Sequence, residues 1–139
     1  MGLINKIGLG TVQFGLNYGI SNKVGKTPKH EVTNILKKAK TLNINLLDTA
    51  ISYGNAEEVI GSFDLENFQI VSKFMPSKNN KSISSQIEES LAKLKLSKIY
   101  GYLSHRPMSL VENPNDWNEL LLLKEKNKVK KIVFSLNTT

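Results

Sequence analysis

The sequence has no cysteine among its 139 residues. That excludes disulfides, thiolate nucleophiles and cysteine-ligated zinc, and nothing points to an oxidising compartment. Arginine is nearly missing as well. Arg106 is the single one, so the net charge of +7 rests on lysine, whereas readers of DNA bases lean on the bidentate arginine fork. The lysines are also dispersed through candidate helices, as at Lys37, Lys38 and Lys40 or Lys93, Lys95 and Lys98, with no aromatic-interleaved patch. A nucleic-acid surface is therefore the weakest explanation of the pI near 9.6. Apolar runs are short, none approaching the ~18 residues of a transmembrane helix. The opening MGLINKIGLGTVQFG lacks a charged segment followed by a sustained apolar one, and Lys6 stands where a myristoylation signal needs Ser or Thr. These absences predict a cytoplasmic protein with no membrane partner, no nucleic-acid partner and no metal site.

What is present suits one domain over residues 1–139. With 40% hydrophobic and 22% charged residues, the chain can bury one core and is too short for two ordinary ones. Lys6 to Phe14 reads as a strand loosened by glycines. Ile44 to Ala50, Phe68 to Phe74, Ile99 to Ser104 and Lys131 to Leu136 read as four more. Between them the spacing predicts helices. One is capped by Thr27 with Pro28 at its first position, carries the stripe Val32, Ile35, Leu36, Ala39 and Leu42, and closes at Asn43. A short one runs from Asn55 to Gly61, with Glu57 and Glu58 in a first turn favoured by the helix dipole. Another starts at Ser82 and repeats Ile83, Ile87, Leu91 and Leu94, and the last covers Trp117 to Lys126.

Strands alternating with helices, with no hairpin signal between them, predict a parallel sheet. A doubly wound nucleotide-binding sheet would need a phosphate loop after its first strand, and Gly8, Gly10 and Gly15 match neither the dinucleotide nor the Walker spacing. A (β/α)8 TIM barrel instead places functional residues at the C-terminal ends of successive strands. Asp48, Lys73 and His105 each sit at such an end, and Tyr53 follows in the loop after the second strand. Singly each has an ordinary explanation: an Asp capping a turn, a Tyr packed on a helix, a snorkelling Lys, a loop His. Lys73 is nevertheless the one Lys embedded in an apolar strand, beside Ile70, Val71, Phe74 and Met75, where an unpaired ammonium is costly. Together the four types suit protonation of an oxygen that becomes negative as hydride arrives. A cation beside a phenol favours the phenolate, a carboxylate keeps that cation in place, and an imidazole can donate to a carbonyl oxygen.

At these residues the chain resembles the aldo-keto reductase family. The resemblance runs through IGLGTVQFG, DTAISYGNAEEVIG, IVSKF and YLSHRP, and its most specific part is DTA-x-x-YG-x-x-E-x-x-x-G. It implies a (β/α)8 barrel that reduces aldehydes or ketones to alcohols with NADPH, less often NADH. Carried over by motif, Tyr53 resembles the general acid, Lys73 the residue that eases its ionisation, Asp48 the partner of that Lys, and His105 the residue that orients the carbonyl. Gly10 and Thr11 resemble the turn beside the nicotinamide. Ser135 resembles the Ser that holds the carboxamide, although Val133 stands where the family often has Gly.

A complete barrel of this kind needs ~250 residues. The fold expected here is therefore an incomplete barrel of about five parallel strands with four crossover helices, the N-terminal portion of such an enzyme, truncated or completed by another polypeptide. Its partners would be a small carbonyl substrate and, through unpaired sheet edges, another copy or chain. The alternative is a catalytically inactive fragment that keeps the residues without the reaction.

Overall fold

Five short runs lie side by side as one parallel sheet in the order β1-β2-β3-β4-β5: β1 Gly8–Gly10, β2 Leu46–Asp48, β3 Gln69–Phe74, β4 Ile99–Ser104 and β5 Val129–Val133. The computed structural model describes residues 6–20, 22–23 and 25–133. Because every pairing is parallel, each strand returns through helical segments: α1 Val12–Gly15 and α2 Lys29–Thr41, then α3 Ala56–Gly61, then α4 Ile83–Leu94, then α5 Ser109–Glu112 and α6 Pro114–Glu125.

Register decides which side chains share a face. Leu47 pairs with Ile70, Ser72 with Tyr102 and Phe74 with Ser104, and in-register neighbours of parallel strands point the same way. Leu47, Ile70, Phe74 and Tyr102 are buried, in one cluster with Val32 and Leu36 of α2, Ile60 of α3, Ile87 and Leu91 of α4, and Leu120 and Leu123 of α6. The other face carries Leu46, Asp48, Val71, Lys73 and Leu103, all only half-buried. Helices thus pack on one side of the sheet, and the polar strand ends lie on the other.

Turn chemistry trims the elements relative to the sequence pattern. The first strand stops at Gly10 instead of Phe14, because both the amide and the hydroxyl of Thr11 bond Asp48 O and the chain coils into α1. The second helix begins at Lys29. Pro28 occupies the cap position with extended backbone (ψ 154°) and no side chain caps the helix. The Thr27 amide instead donates to Gln13 O. Asn43 just beyond α2 has φ 57°, the left-handed conformation that asparagine tolerates at a helix end. Ser82 caps α4 as its position suggests, accepting from the Ser85 amide. α6 starts three residues earlier than Trp117, with Pro114 at its first position, where no amide donor is needed. β5 starts at Val129, in register with Ile99. The stretch to Leu136 expected from the sequence runs past Val133 and out of the described residues.

Two buried polar groups shape the loop after β3. Gln86 accepts from the Met75 amide and donates to Met75 O and Lys81 O. Asp116, 1% exposed, accepts from the Ser77 amide and hydroxyl, and Asn113 donates to the same hydroxyl. Such satisfied groups fix the path of a loop that has few apolar anchors.

Candidate active site

The β2 exit is extended by bonds that outlast the regular strand: the Thr49 amide donates to Val71 O and the Ile51 amide to Lys73 O. The chain then turns, with the Tyr53 amide on Ala50 O and the Ala56 amide on Tyr53 O, and enters α3. Two glycines make this turn close-packed. Gly54 has φ 58°, a conformation costly for residues with a Cβ. Gly15 of α1 lies against the turn so tightly that a Cβ there would stand 1.8 Å from Tyr53 O.

This path brings the polar side chains together. Lys73 Nζ donates to Asp48 Oδ1 at 2.8 Å and Oδ2 at 2.7 Å, to Thr49 O at 3.0 Å and to the Tyr53 hydroxyl at 3.4 Å. The same ammonium stands 5.1 Å from the Tyr53 ring centroid, within reach of a cation–π attraction. Its side chain is 14% exposed and that of Asp48 37%. A largely buried cation thus has a carboxylate, a carbonyl and a phenol as partners, which is how a charge is kept inside a protein.

His105 joins from the end of β4. Its amide donates to Phe74 O, its ring meets Tyr53 edge-on with centroids 6.3 Å apart, and Nδ1 lies 3.5 Å from Ser52 Oγ. Burial, and then the cations Lys73 and Arg106, push the imidazole pKa below its usual value, against the opposing pull of Asp48. The neutral ring is favoured.

Gly10 pairs in register with Asp48, on the same face, and among the described residues beyond its own chain neighbours no heavy atom lies within 4 Å of where its Cβ would be. That leaves space beside the carboxylate. Thr11 is fully buried and spends its hydroxyl on Asp48 O. Ser135 lies outside the described residues. The structure therefore gathers Asp48, Tyr53, Lys73 and His105, with Gly10 at the edge. A groove of about 1090 Å³, lined by Gln69, Ile99 and Val129 among others, lies at the opposite ends of the strands and touches none of them.

Three further residues belong to this architecture. Ser52 reaches His105, Gly15 underlies the Tyr53 turn, and Glu57 is buried to 2% exposure with Ser72 Oγ donating to its Oε2 at 3.0 Å. Both acids expected in the first turn of α3 are there, but only Glu58 is on the surface. The signal for Glu57 lies in the motif: it is the E of DTA-x-x-YG-x-x-E-x-x-x-G.

The chain matches the Aldo/keto reductase family over residues 6–139. A Pseudomonas aeruginosa protein described as an aldo-keto reductase superposes with a TM-score of 0.79 at 30% identity, covering 92% of this chain and 54% of that one. A thermostable aldo-keto reductase solved with the inhibitor epalrestat gives 0.69 at 26% identity, over 93% and 48%. A Klebsiella pneumoniae aldo-keto reductase solved with NADPH shares the fold, with a TM-score of 0.68 at 24% identity, over 94% and 45%. No protein of curated function matches. The chain spans about half the length of the solved relatives, and its five parallel strands with alternating helices correspond to about half of their TIM barrel. With its sequence matched almost end to end and its polar strand ends gathered on one face, the chain belongs to the aldo/keto reductase family.

Proposed function

We propose that this segment supplies the proton-donating side of an NAD(P)H-dependent carbonyl reductase site, with Tyr53 as general acid. One ammonium bonded at once to Asp48 and to the Tyr53 hydroxyl carries the proposal. A phenol that gives up its proton leaves a phenolate, and a cation within hydrogen-bonding reach stabilises it. Lys73 is that cation, and Asp48 holds it in place. His105, neutral in this setting, orients the substrate. Ser52 Oγ lies 3.5 Å from Nδ1; in the tautomer in which that hydroxyl is the donor, the ring proton is on Nε2 and is free to be donated to a carbonyl oxygen.

The described residues fit the edge of a flat nicotinamide ring at Gly10, where the face beside Asp48 is open. Bound NADPH or NADH would supply the hydride for the carbonyl carbon. The proton travels from Tyr53 Oη to the carbonyl oxygen, and the product of a small aldehyde or ketone is the alcohol. Thr11 acts indirectly by tying the end of β1 to β2.

The test is NADPH-dependent reduction of a panel of aldehydes by the protein that bears this segment, followed through the absorbance of the cofactor. Tyr53→Phe lowers kcat/KM by ~10²–10⁴-fold, the range typical of a lost general acid, with the circular dichroism spectrum unchanged. Turnover equal to that of the wild type overturns the assignment.

A further inference from the structure

Glu57 is a buried carboxyl that the chemistry at the strand ends does not use. It extends from α3 to the helix-covered side of β3, where Ser72 Oγ donates to it at 3.0 Å. Ser72 is the chain neighbour of Lys73, and adjacent strand residues point to opposite faces. Two ties therefore join the Tyr53 segment to the same short piece of β3. On one side the Ile51 amide holds Lys73 O at 3.1 Å, and on the other Glu57 holds Ser72. Tyr53 lies between these two anchors in sequence. α3 is also pressed onto α4, since a Cβ on Gly61 would stand 2.1 Å from Lys93 O. The helix that follows the phenol is thus fixed against both α4 and β3.

The surroundings of Glu57 say what kind of group it is. Among the described residues its Oε1 is buried with no partner within hydrogen-bond geometry, as are Ser90 Oγ and Tyr102 Oη, although these two hydroxyls are close enough to act on its charge or it on theirs. Burial raises its pKa, opposed by the hydroxyls of Ser90 and Ser72 and by the charge of Lys93. Burial thus favours the protonated acid, which has the shape and bonding of a glutamine side chain, and within hydrogen-bond geometry only Ser72 among the described residues donates to it.

We propose that Glu57 is a positioning residue for Tyr53: its hydrogen bond to Ser72 fixes α3 against β3 and so sets the separation between the phenol and Lys73 Nζ. The bond carries the role and the charge does not. The significance of that separation rests on the assignment of Tyr53 as proton donor, but the experiment that follows does not depend on turnover.

The separation is read by NMR in the protein that bears this segment, as cross-relaxation between the Tyr53 ring protons and the Lys73 ε-methylene, with Tyr53→Phe identifying the ring signals. Wild type and Glu57→Gln show the same cross-peak. Glu57→Ala and Ser72→Ala lose most of it while their amide spectra remain those of a folded protein. A purely structural role would lower the stability of both variants and leave the cross-peak intact, and that result overturns the proposal. Loss of the cross-peak in Glu57→Gln overturns it too, because charge would then be the essential property. Should Glu57→Ala not fold, Ser72→Ala, which removes a single hydroxyl, decides the outcome. Full turnover by Tyr53→Phe would remove the proposed function and leave this contact pattern standing.

Discussion

Ser72 and Lys73 are neighbours in the chain and belong to two polar clusters that obey opposite rules. On the open face, Lys73 is paired with Asp48, Thr49 O and Tyr53, so every donor of its ammonium has a partner. On the helix-covered face, Ser72 bonds Glu57, while Glu57 Oε1, Ser90 Oγ and Tyr102 Oη have no partner within hydrogen-bond geometry among the described residues. The first cluster keeps its charges because they neutralise one another. In the second, which has no bonded cation among the described residues, burial favours the neutral carboxyl, against the hydroxyls of Ser90 and Ser72 and the charge of Lys93. Each cluster also holds one tyrosine, Tyr53 or Tyr102, with the phenol of one half-buried beside a cation and that of the other fully enclosed. One strand thus separates a charge-paired cluster from a buried, hydroxyl-rich one within a single residue step.

The largest disturbance of either cluster comes from a methyl group placed under its support. Gly15→Ala would drive a Cβ into Tyr53 O, and Gly61→Ala one into Lys93 O. In both cases the obstacle is backbone, which yields little. Each substitution is expected to cost about 3 kcal/mol or more, at the upper end of overpacking effects. Urea denaturation measures this. The two are told apart by the ring signals of Tyr53, which move farther in Gly15→Ala, where the obstacle is Tyr53 O itself, than in Gly61→Ala, where the obstacle is at the far end of α3. A stability loss below that of an ordinary surface substitution in Gly15→Ala would show that α1 can slide away from the turn.

A smaller effect separates the clusters by pH. Burial holds the Glu57 carboxyl above its ordinary range, and the groups facing it are Ser72 from β3, Ser90 and Lys93 from α4, and Tyr102 from β4. Below the carboxyl's unfolded pKa of ~4.3 both states are protonated there and its stabilising contribution is complete. As pH rises from that value towards the raised native one, the unfolded chain releases the proton first. The native state then binds more protons, and stability falls with pH until the native pKa is passed. Glu57→Gln removes the titrating group, so its stability is flatter through that window. Denaturation midpoints for the two proteins across a pH series provide the measurement. Identical slopes would mean that Glu57 ionises as readily in the native state as in the unfolded one.

The open-face cluster was legible in the sequence for a physical reason. Asp48, Lys73 and His105 end apolar runs, and parallel pairing carries such ends to one side of the sheet whatever the helices between them do. The positions of α2 and α4 are legible from their strong apolar periodicity, and that of α3 from its first-turn acids and Gly61. Elements held by tertiary contact are not. α1 is a single turn, too short to form by propensity, and exists because Thr11 bonds Asp48 O and Gly15 fits beneath Tyr53. The start of α2 depends on the backbone angles of Pro28 and on Thr27 being engaged with Gln13. Glu57 has the local look of a dipole-stabilising surface acid, and only the approach of β3 and α4 makes it a buried one. Periodicity marks which residues share a face, but it does not register how closely two backbones approach.

The smallest expected effect distinguishes the clusters most sharply, because it repeats on Tyr102 the substitution proposed for Tyr53. Tyr102 is fully buried, and its ring packs 5.0 Å from that of Phe74, yet its hydroxyl has no hydrogen-bond partner. Burial, and then Glu57, push its phenol pKa upward, opposed by the Ser90 hydroxyl. A buried hydroxyl without a partner contributes a desolvation penalty and no compensating bond, so removing it leaves the ring packing intact and lifts the penalty. Tyr102→Phe is therefore expected to leave stability unchanged or raise it by up to ~1 kcal/mol, with no effect on the Tyr53 ring signals. A loss of ~1 kcal/mol or more would instead show that the hydroxyl is satisfied, through Ser90 or through an enclosed water shared with Glu57. The helix-covered cluster would then be a completed network like the one around Lys73, and the contrast across β3 would lie in charge alone.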